Sequence, residues 1–350
     1  MSADSPGGRG DRLPDAVVPF SGGQSIGIGS LPHRDRGAAA AFALSEFDIA
    51  TVPSLPMRSS AEGMVAQAVA GLPGVSFGQY GSCAIDPIAL VRDHRITTDL
   101  SGEAFEGLRA FVDLAVRVHH DGAPVKWQFV GPVTLGVALA RAGVRHDRAF
   151  EIAAEAVRHH VSEISSALRR ALPSSPQLML LDEPWLVDLM RPDFPIPPDV
   201  AVDLISTGMA AVGSEAAFGL HCCGRCDIAT MLETGPQVIS IPVADELVEY
   251  AGYLGRFVDG GGVIAWGVVP TTGPVTMRPD RYWRRLSDLW SSLSERGVDA
   301  GMLRRQSLIT PECGFSRHQV STARRIARMS SEIGHRVNGQ AMASRLGLGA

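Results

Sequence analysis

Nowhere does the chain hold about 18 uninterrupted apolar residues, so neither a transmembrane helix nor a membrane partner is expected. Residues Met1 to Arg12 carry Asp, Gly and Arg in place of the apolar centre of a secretory signal, and the cytoplasm is the expected location. Basic runs are missing too. Lysine and arginine number 32 against 37 acidic residues, a net charge of -5, which argues against nucleic acid as a general partner. Cysteine is scarce and odd in count, at 5 residues, and does not fit a disulfide framework. No short repeat and no long linker stands out. What the sequence does have is length and apolar content. Its 350 residues, 45% hydrophobic, suffice for a substantial core in one large domain or two ordinary ones.

Residues 1–20 are rich in Gly, Asp, Pro and Arg without periodicity, so a disordered arm is expected there, with a loosely held tail over 336–350. Between them, residues 21–335 alternate short apolar runs with helical patterns. Eight runs read as strands buried on both faces: Ser25–Gly29, Ile49–Val52, Lys126–Val130, Leu178–Leu181, Ala217–His221, Val238–Ile241, Val263–Val268 and Ser307–Thr310. The clearest helix pattern covers Arg148–Leu172, with Pro173 just past its end. Eight strands separated by helices predict a single-domain α/β fold, a (β/α)8 barrel of the TIM type. A doubly wound sheet needs a phosphate-binding fingerprint after its first strand. Gly27-Ile28-Gly29-Ser30-Leu31-Pro32 puts proline where the third glycine belongs.

Polar and reactive residues follow the predicted strands. Ser30-Leu31-Pro32-His33 comes after the first, Gly131-Pro132-Val133-Thr134 after the third and Asp182-Glu183-Pro184-Trp185 after the fourth. The fifth delivers His221-Cys222-Cys223 and the eighth Pro311-Glu312-Cys313-Gly314. In a barrel these positions share the rim that carries the chemistry. His221 and Cys223 stand two apart on an extended segment, so their side chains project to one side. Cys313 supplies a second thiolate. One imidazole and two thiolates suit zinc, and three protein ligands leave the open position that a catalytic site needs. Asp182 then offers a carboxylate to a substrate ammonium.

The same residues have plainer readings. Cys223-Gly224-Arg225-Cys226 is also a CxxC, yet a thioredoxin-like context and a second CxxC are both missing. Cys222 and Cys226 read as bystanders and Cys83 as a small buried residue. Asp182-Glu183-Pro184 also fits a cap on the next helix. Trp127 and Trp185 line a pocket or simply pack the barrel.

Taken in order, five blocks resemble the catalytic domain of cobalamin-independent methionine synthase. Its superfamily also holds uroporphyrinogen decarboxylase and the corrinoid:thiol methyltransferases. The blocks are Ile28-Gly29-Ser30-Leu31-Pro32, Gly131-Pro132-Val133-Thr134, Leu181-Asp182-Glu183-Pro184, His221-Cys222-Cys223 and Pro311-Glu312-Cys313-Gly314, and the resemblance runs from Ile26 to Arg328. It implies an S-methyltransferase with Zn2+ held by His221, Cys223 and Cys313, where the metal activates a thiol. The first expectation is homocysteine, methylated to methionine. The resemblance further implies that Ile28, Ser30 and Asp182 hold the amino acid. The methyl donor it implies is methyltetrahydrofolate or a methylated corrinoid, free or on a protein.

Departures from the family pattern are specific. Where the family places a zinc-binding Glu, after Ile239-Ser240-Ile241, this chain has Pro242, and Asp245 and Glu246 are the nearest carboxylates. A second substrate carboxylate of the family falls near Leu55. Its general-acid histidine meets Val269-Pro270-Thr271-Thr272. Two alternatives follow. One is a barrel that keeps zinc without catalysis and binds a thiol or an amino acid. The other is a metal-free decarboxylase like uroporphyrinogen decarboxylase, for which only Arg34 and Arg58 could grip a polycarboxylate.

Overall fold

The computed structural model describes residues 20, 22–77, 83–92, 95–214, 216–273, 275–276 and 278–345. The arm expected over 1–20 lies outside them except for Phe20, and so does the Cys83 side chain.

The apolar runs become strands because each is too short for a stable helix and is closed by Gly, Pro or a polar residue. In chain order they are β1 (Ala50–Thr51), β2 (Val75–Phe77), β3 (Cys83–Ile85), β4 (Val125–Val130), β5 (Gln177–Asp182), β6 (Ala216–His221), β7 (Val238–Pro242), β8 (Val263–Val269) and β9 (Ser307–Pro311). Seven of them form one parallel sheet in the order β1-β4-β5-β6-β7-β8-β9. The two others form a small antiparallel pair in the β1–β4 connection, which periodicity did not predict at three residues per strand.

The expected first strand, Ser25–Gly29, is reduced to isolated bridges: Ser25 pairs with Ile309 of β9 and Ile26 with Ile49, next to β1. These bridges connect the two edge strands of the sheet, which is therefore curled. Side chains explain why no eighth strand forms among the described residues. The Ser25 N–H donates to Asp48 Oδ2 at 2.8 Å and the Gly27 N–H to Thr51 Oγ1 at 2.9 Å. Those are donors that a full strand would spend on its neighbour's carbonyls.

The sheet separates two cores. Its inner face packs Ile26, Ile49, Leu178, Leu180, Val238, Ala265 and Leu308 against one another. Its outer face, with Trp127, Met179, Leu181, Ile239 and Trp266, joins the larger core under the helices. Side chains alternate along a strand, so the inner row continues past Leu180 to Asp182 and past Ala217 to His221. Register carries the same row sideways: Lys126 pairs with Leu178, Gln128 with Leu180, Asp182 with His221 and His221 with Ser240. An apolar floor thus gives way to a polar layer at the C-terminal ends of the strands.

The long helix predicted over Arg148–Leu172 spans His146–Ala171. The tail expected from residue 336 does not begin there. The last helix runs Val320–Arg345, Val337 and Ala341 are buried in it, and Arg336 pairs with Asp280 at 2.6 Å. Widely spaced apolar residues among Ser, Arg and Gly hid this end of the helix. Among the described residues no helix is long and apolar enough to cross a membrane.

The inner floor yields a first prediction. Leu180 is fully buried there, so Leu180→Ala should lower stability by about 2–5 kcal/mol in urea denaturation.

Candidate metal centre

His221 closes β6, Cys223 follows two residues later, and Cys313 lies two residues beyond the end of β9. The ligand atoms of all three fall within 4.8 Å of one another. The His221 ring is oriented by Ser240 on β7, whose Oγ lies 2.9 Å from Nδ1. That leaves Nε2 buried without a hydrogen-bond partner, a costly state for a ring nitrogen unless a ligand completes it. The thiol of Cys313 donates to the sulfur of Cys223, which holds Cys223 below and Cys313 above the ordinary thiol range. Cys223 is exposed and Cys313 half-buried, so the group opens toward solvent. An orphaned imidazole nitrogen facing two sulfurs is a donor set that fits zinc.

Among the described residues no carboxylate belongs to this group. Pro242 ends β7 at the position where the family has its Glu. Of the two nearby acids, Glu246 is paired with Arg225 at 2.6 Å and Asp245 is exposed on the rim.

The Asp182-Glu183-Pro184 block divides between its two readings. Glu183 caps a helix, but the preceding one, Pro132–Arg141. It accepts from the Val133 N–H at 2.8 Å, the Thr134 N–H at 2.7 Å and the Thr134 hydroxyl. Burial still pushes it up to about 7. Gly131 exists for this contact, since a Cβ there would meet Glu183 Oε1 at 2.1 Å. Asp182 instead sits on the inner row beside His221. Its Oδ1 is buried without a partner, and burial raises its pKa.

The Ile28–Ser30 turn is held from three sides. Ser54 donates its N–H to the Gly29 carbonyl at 3.2 Å, and Phe315, two residues past Cys313, donates to the Ser30 carbonyl at 2.7 Å. Gly29 has φ +142°, and a Cβ there would collide with the Gln128 amide at 2.0 Å. From beneath, the Lys126 ammonium donates to the Ile28 carbonyl and, at 2.8 Å, to Gln128 Oε1.

Lys126 is the residue that sequence reasoning missed. It is fully buried, and burial lowers its pKa to about 8 against the partial compensation of Asp182. The available signal was a lone lysine inside an otherwise apolar strand, which needs a partner if both faces are covered.

The remaining candidates resolve simply. Cys222 is fully buried and pairs with Cys226, so the CxxC reading is not supported by proximity: Cys223 faces Cys313 instead. Trp127 packs the outer core, with Nε1 donating to Gln177 Oε1 at 3.0 Å. Trp185 lines a cavity of about 360 Å³, where the Arg141 guanidinium lies 4.0 Å from its ring centre. Leu55 is buried and offers no polar group, Arg58 is engaged by Glu62, and Arg34 is exposed.

No protein-family model and no curated protein sequence matches the chain. Solved structures do. A methyltransferase from Methanosarcina mazei aligns at 16% identity over 91% of this chain and 95% of its own, with a TM-score of 0.52. A Listeria monocytogenes protein named a candidate vitamin-B12-independent methionine synthase aligns at 15% identity over 87% and 86%, with a TM-score of 0.55. Likeness at this identity establishes a shared fold.

The buried lysine makes a pH prediction. Its folded value near 8 lies below the ordinary 10.5, so between those pH values the unfolded chain holds a proton that the folded chain has lost. Stability therefore rises with pH in that window, by at most about 1.4 kcal/mol per unit. Relative to Lys126→Met, the wild-type protein should gain stability from pH 8 upward and show a constant difference below it. Denaturant titrations of both proteins over pH 7–10 measure this.

Proposed function

We propose that the chain is a zinc-dependent S-methyltransferase acting on the thiol of an α-amino acid, with homocysteine as substrate and methionine as product. The observation that carries this reading is the convergence of His221 Nε2, Cys223 and Cys313 beside Asp182, whose Oδ1 is buried without a partner. Fold likeness to a methyltransferase and to a protein named for methionine synthesis supports it at the level of architecture.

The protein's own residues would act as follows. His221, aligned by Ser240, and the two cysteines hold the metal at the open mouth of the curled sheet. What zinc supplies there when bound is Lewis acidity, which brings a coordinated thiol's pKa toward neutrality. Asp182 receives the substrate ammonium and the Ile28–Ser30 turn its carboxylate end, so the sulfur is directed at the centre. The acceptor sulfur gives up its proton to solvent water and takes the methyl group, and the donor departs with the electron pair of the broken bond, a folate nitrogen then taking up a proton from water. Methyltetrahydrofolate and a methylated corrinoid are both donors of the required kind. Fixing acceptor and donor in line can supply a large part of the rate.

Pro242 favours one second reading, a zinc-retaining protein that binds the amino acid without turnover. It leaves the set one negative ligand short, so a bound metal would hold a thiolate more tightly and make it a poorer nucleophile.

Both readings require metal. Purified protein should carry about one zinc per chain, and Cys313→Ala or His221→Ala should lower zinc affinity by roughly tenfold or more. In cobalt-substituted protein, adding homocysteine should change the visible spectrum. Methyl transfer from either donor establishes the enzyme; tight binding with no transfer from both establishes the binding protein. Metal-free protein prepared without chelator would refute both.

A further inference from the structure

We infer that Lys126 is a positioning residue for the amino-acid end of the substrate, holding in place the turn that would receive it. The inference rests on the reading of the site just proposed and adds to it the residue on which that turn depends.

The geometry is unusual for a lysine. Its side chain projects from β4 into the interior of the sheet, in register with Leu178, and has no exposed surface. Burying an ammonium costs several kcal/mol unless its N–H groups are satisfied and a counter-charge is near. Two partners are in place: the Ile28 carbonyl and Gln128 Oε1, the latter at 2.8 Å. Gln128 is itself anchored, its Nε2 donating to the Val52 carbonyl at 3.0 Å. Asp182, on the next strand and four residues further along in register, offsets part of that cost through its charge.

Through the Ile28 carbonyl, Lys126 fixes the turn from below, where Ser54 and Phe315 fix it from the side. A thiol with no amino-acid group makes no use of the turn, so its binding does not depend on Lys126.

A structural role alone would weaken every ligand alike; this one discriminates between ligands. Cobalt-substituted wild-type, Lys126→Met and Lys126→Gln proteins can be titrated with homocysteine and with 1-propanethiol, which has the sulfur but no amino-acid group. We expect Lys126→Met to weaken homocysteine binding by tenfold or more and to leave propanethiol binding and cobalt content unchanged. Lys126→Gln, which keeps an N–H for the Ile28 carbonyl, should lose less homocysteine affinity. If Lys126→Met does not fold, Lys126→Gln carries the same comparison between thiols. Equal homocysteine affinity in wild-type and variant would overturn the role of Lys126 and leave the metal site standing. An equal loss for both thiols would overturn it as well. Wild-type protein that binds neither thiol through the metal would sink the functional reading, and this inference with it.

Discussion

A buried ionic group must find its partners inside the protein, and the curled parallel sheet imposes that condition on everything at its inner C-terminal edge. Below this edge, Leu180, Val238, Ala265 and Leu308 form a dry floor in which no polar atom is needed. Above it, strand alternation delivers Asp182, His221 and Ser240 into one layer, whose neighbours are set by register, while Lys126 starts lower, in register with Leu178. Each protein group there is either paired or conspicuously unpaired. Lys126 has Ile28 and Gln128, and the His221 Nδ1 has Ser240. His221 Nε2 and Asp182 Oδ1 have nothing. In a low-dielectric interior such orphans mark where a ligand belongs, since each costs free energy until it is met.

This division of labour runs through adjacent residues. Glu183 spends three hydrogen bonds on closing the helix that begins at Pro132, and Gly131 leaves room for it. Asp182, its neighbour, points to the other side of the strand and makes none at Oδ1. One residue builds the frame and the next is left available. The same contrast separates Cys222, buried against Cys226, from Cys223, which turns to Cys313. Alternation along an extended chain suffices to explain both.

The turn at Ile28–Ser30 shows how the frame is tied to the centre. Its carbonyls are taken up by Lys126, by Ser54 and by Phe315, and Phe315 belongs to the loop that carries Cys313. The element that would bind the amino acid and the element that supplies a sulfur ligand are thereby held in one unit. Gly29 permits this because its positive φ and the Gln128 amide against it exclude a side chain.

Strand positions were legible because a parallel strand covered on both faces is a continuous apolar run: Leu178–Leu181 was expected and Gln177–Asp182 found, Lys126–Val130 expected and Val125–Val130 found. The candidate ligands were legible too, since His221, Cys223 and Cys313 are reactive types at predicted strand ends. What local pattern does not contain is competition for hydrogen bonds and distance across the sheet. The first strand gave way because Asp48 and Thr51 take its N–H groups. The antiparallel pair Val75–Phe77 and Cys83–Ile85 was too short to register, and the final helix continued past residue 335 on sparse apolar contacts. Lys126 read as an ordinary strand residue until its partner Ile28, from the chain's beginning, was brought to it. By itself the sequence determined which segments are strands, and which reactive residues stand at their ends, because hydrophobic periodicity is local. Only the tertiary structure decided which of those residues meet, which are satisfied and which remain open, because partners far apart in the chain are chosen by register and burial.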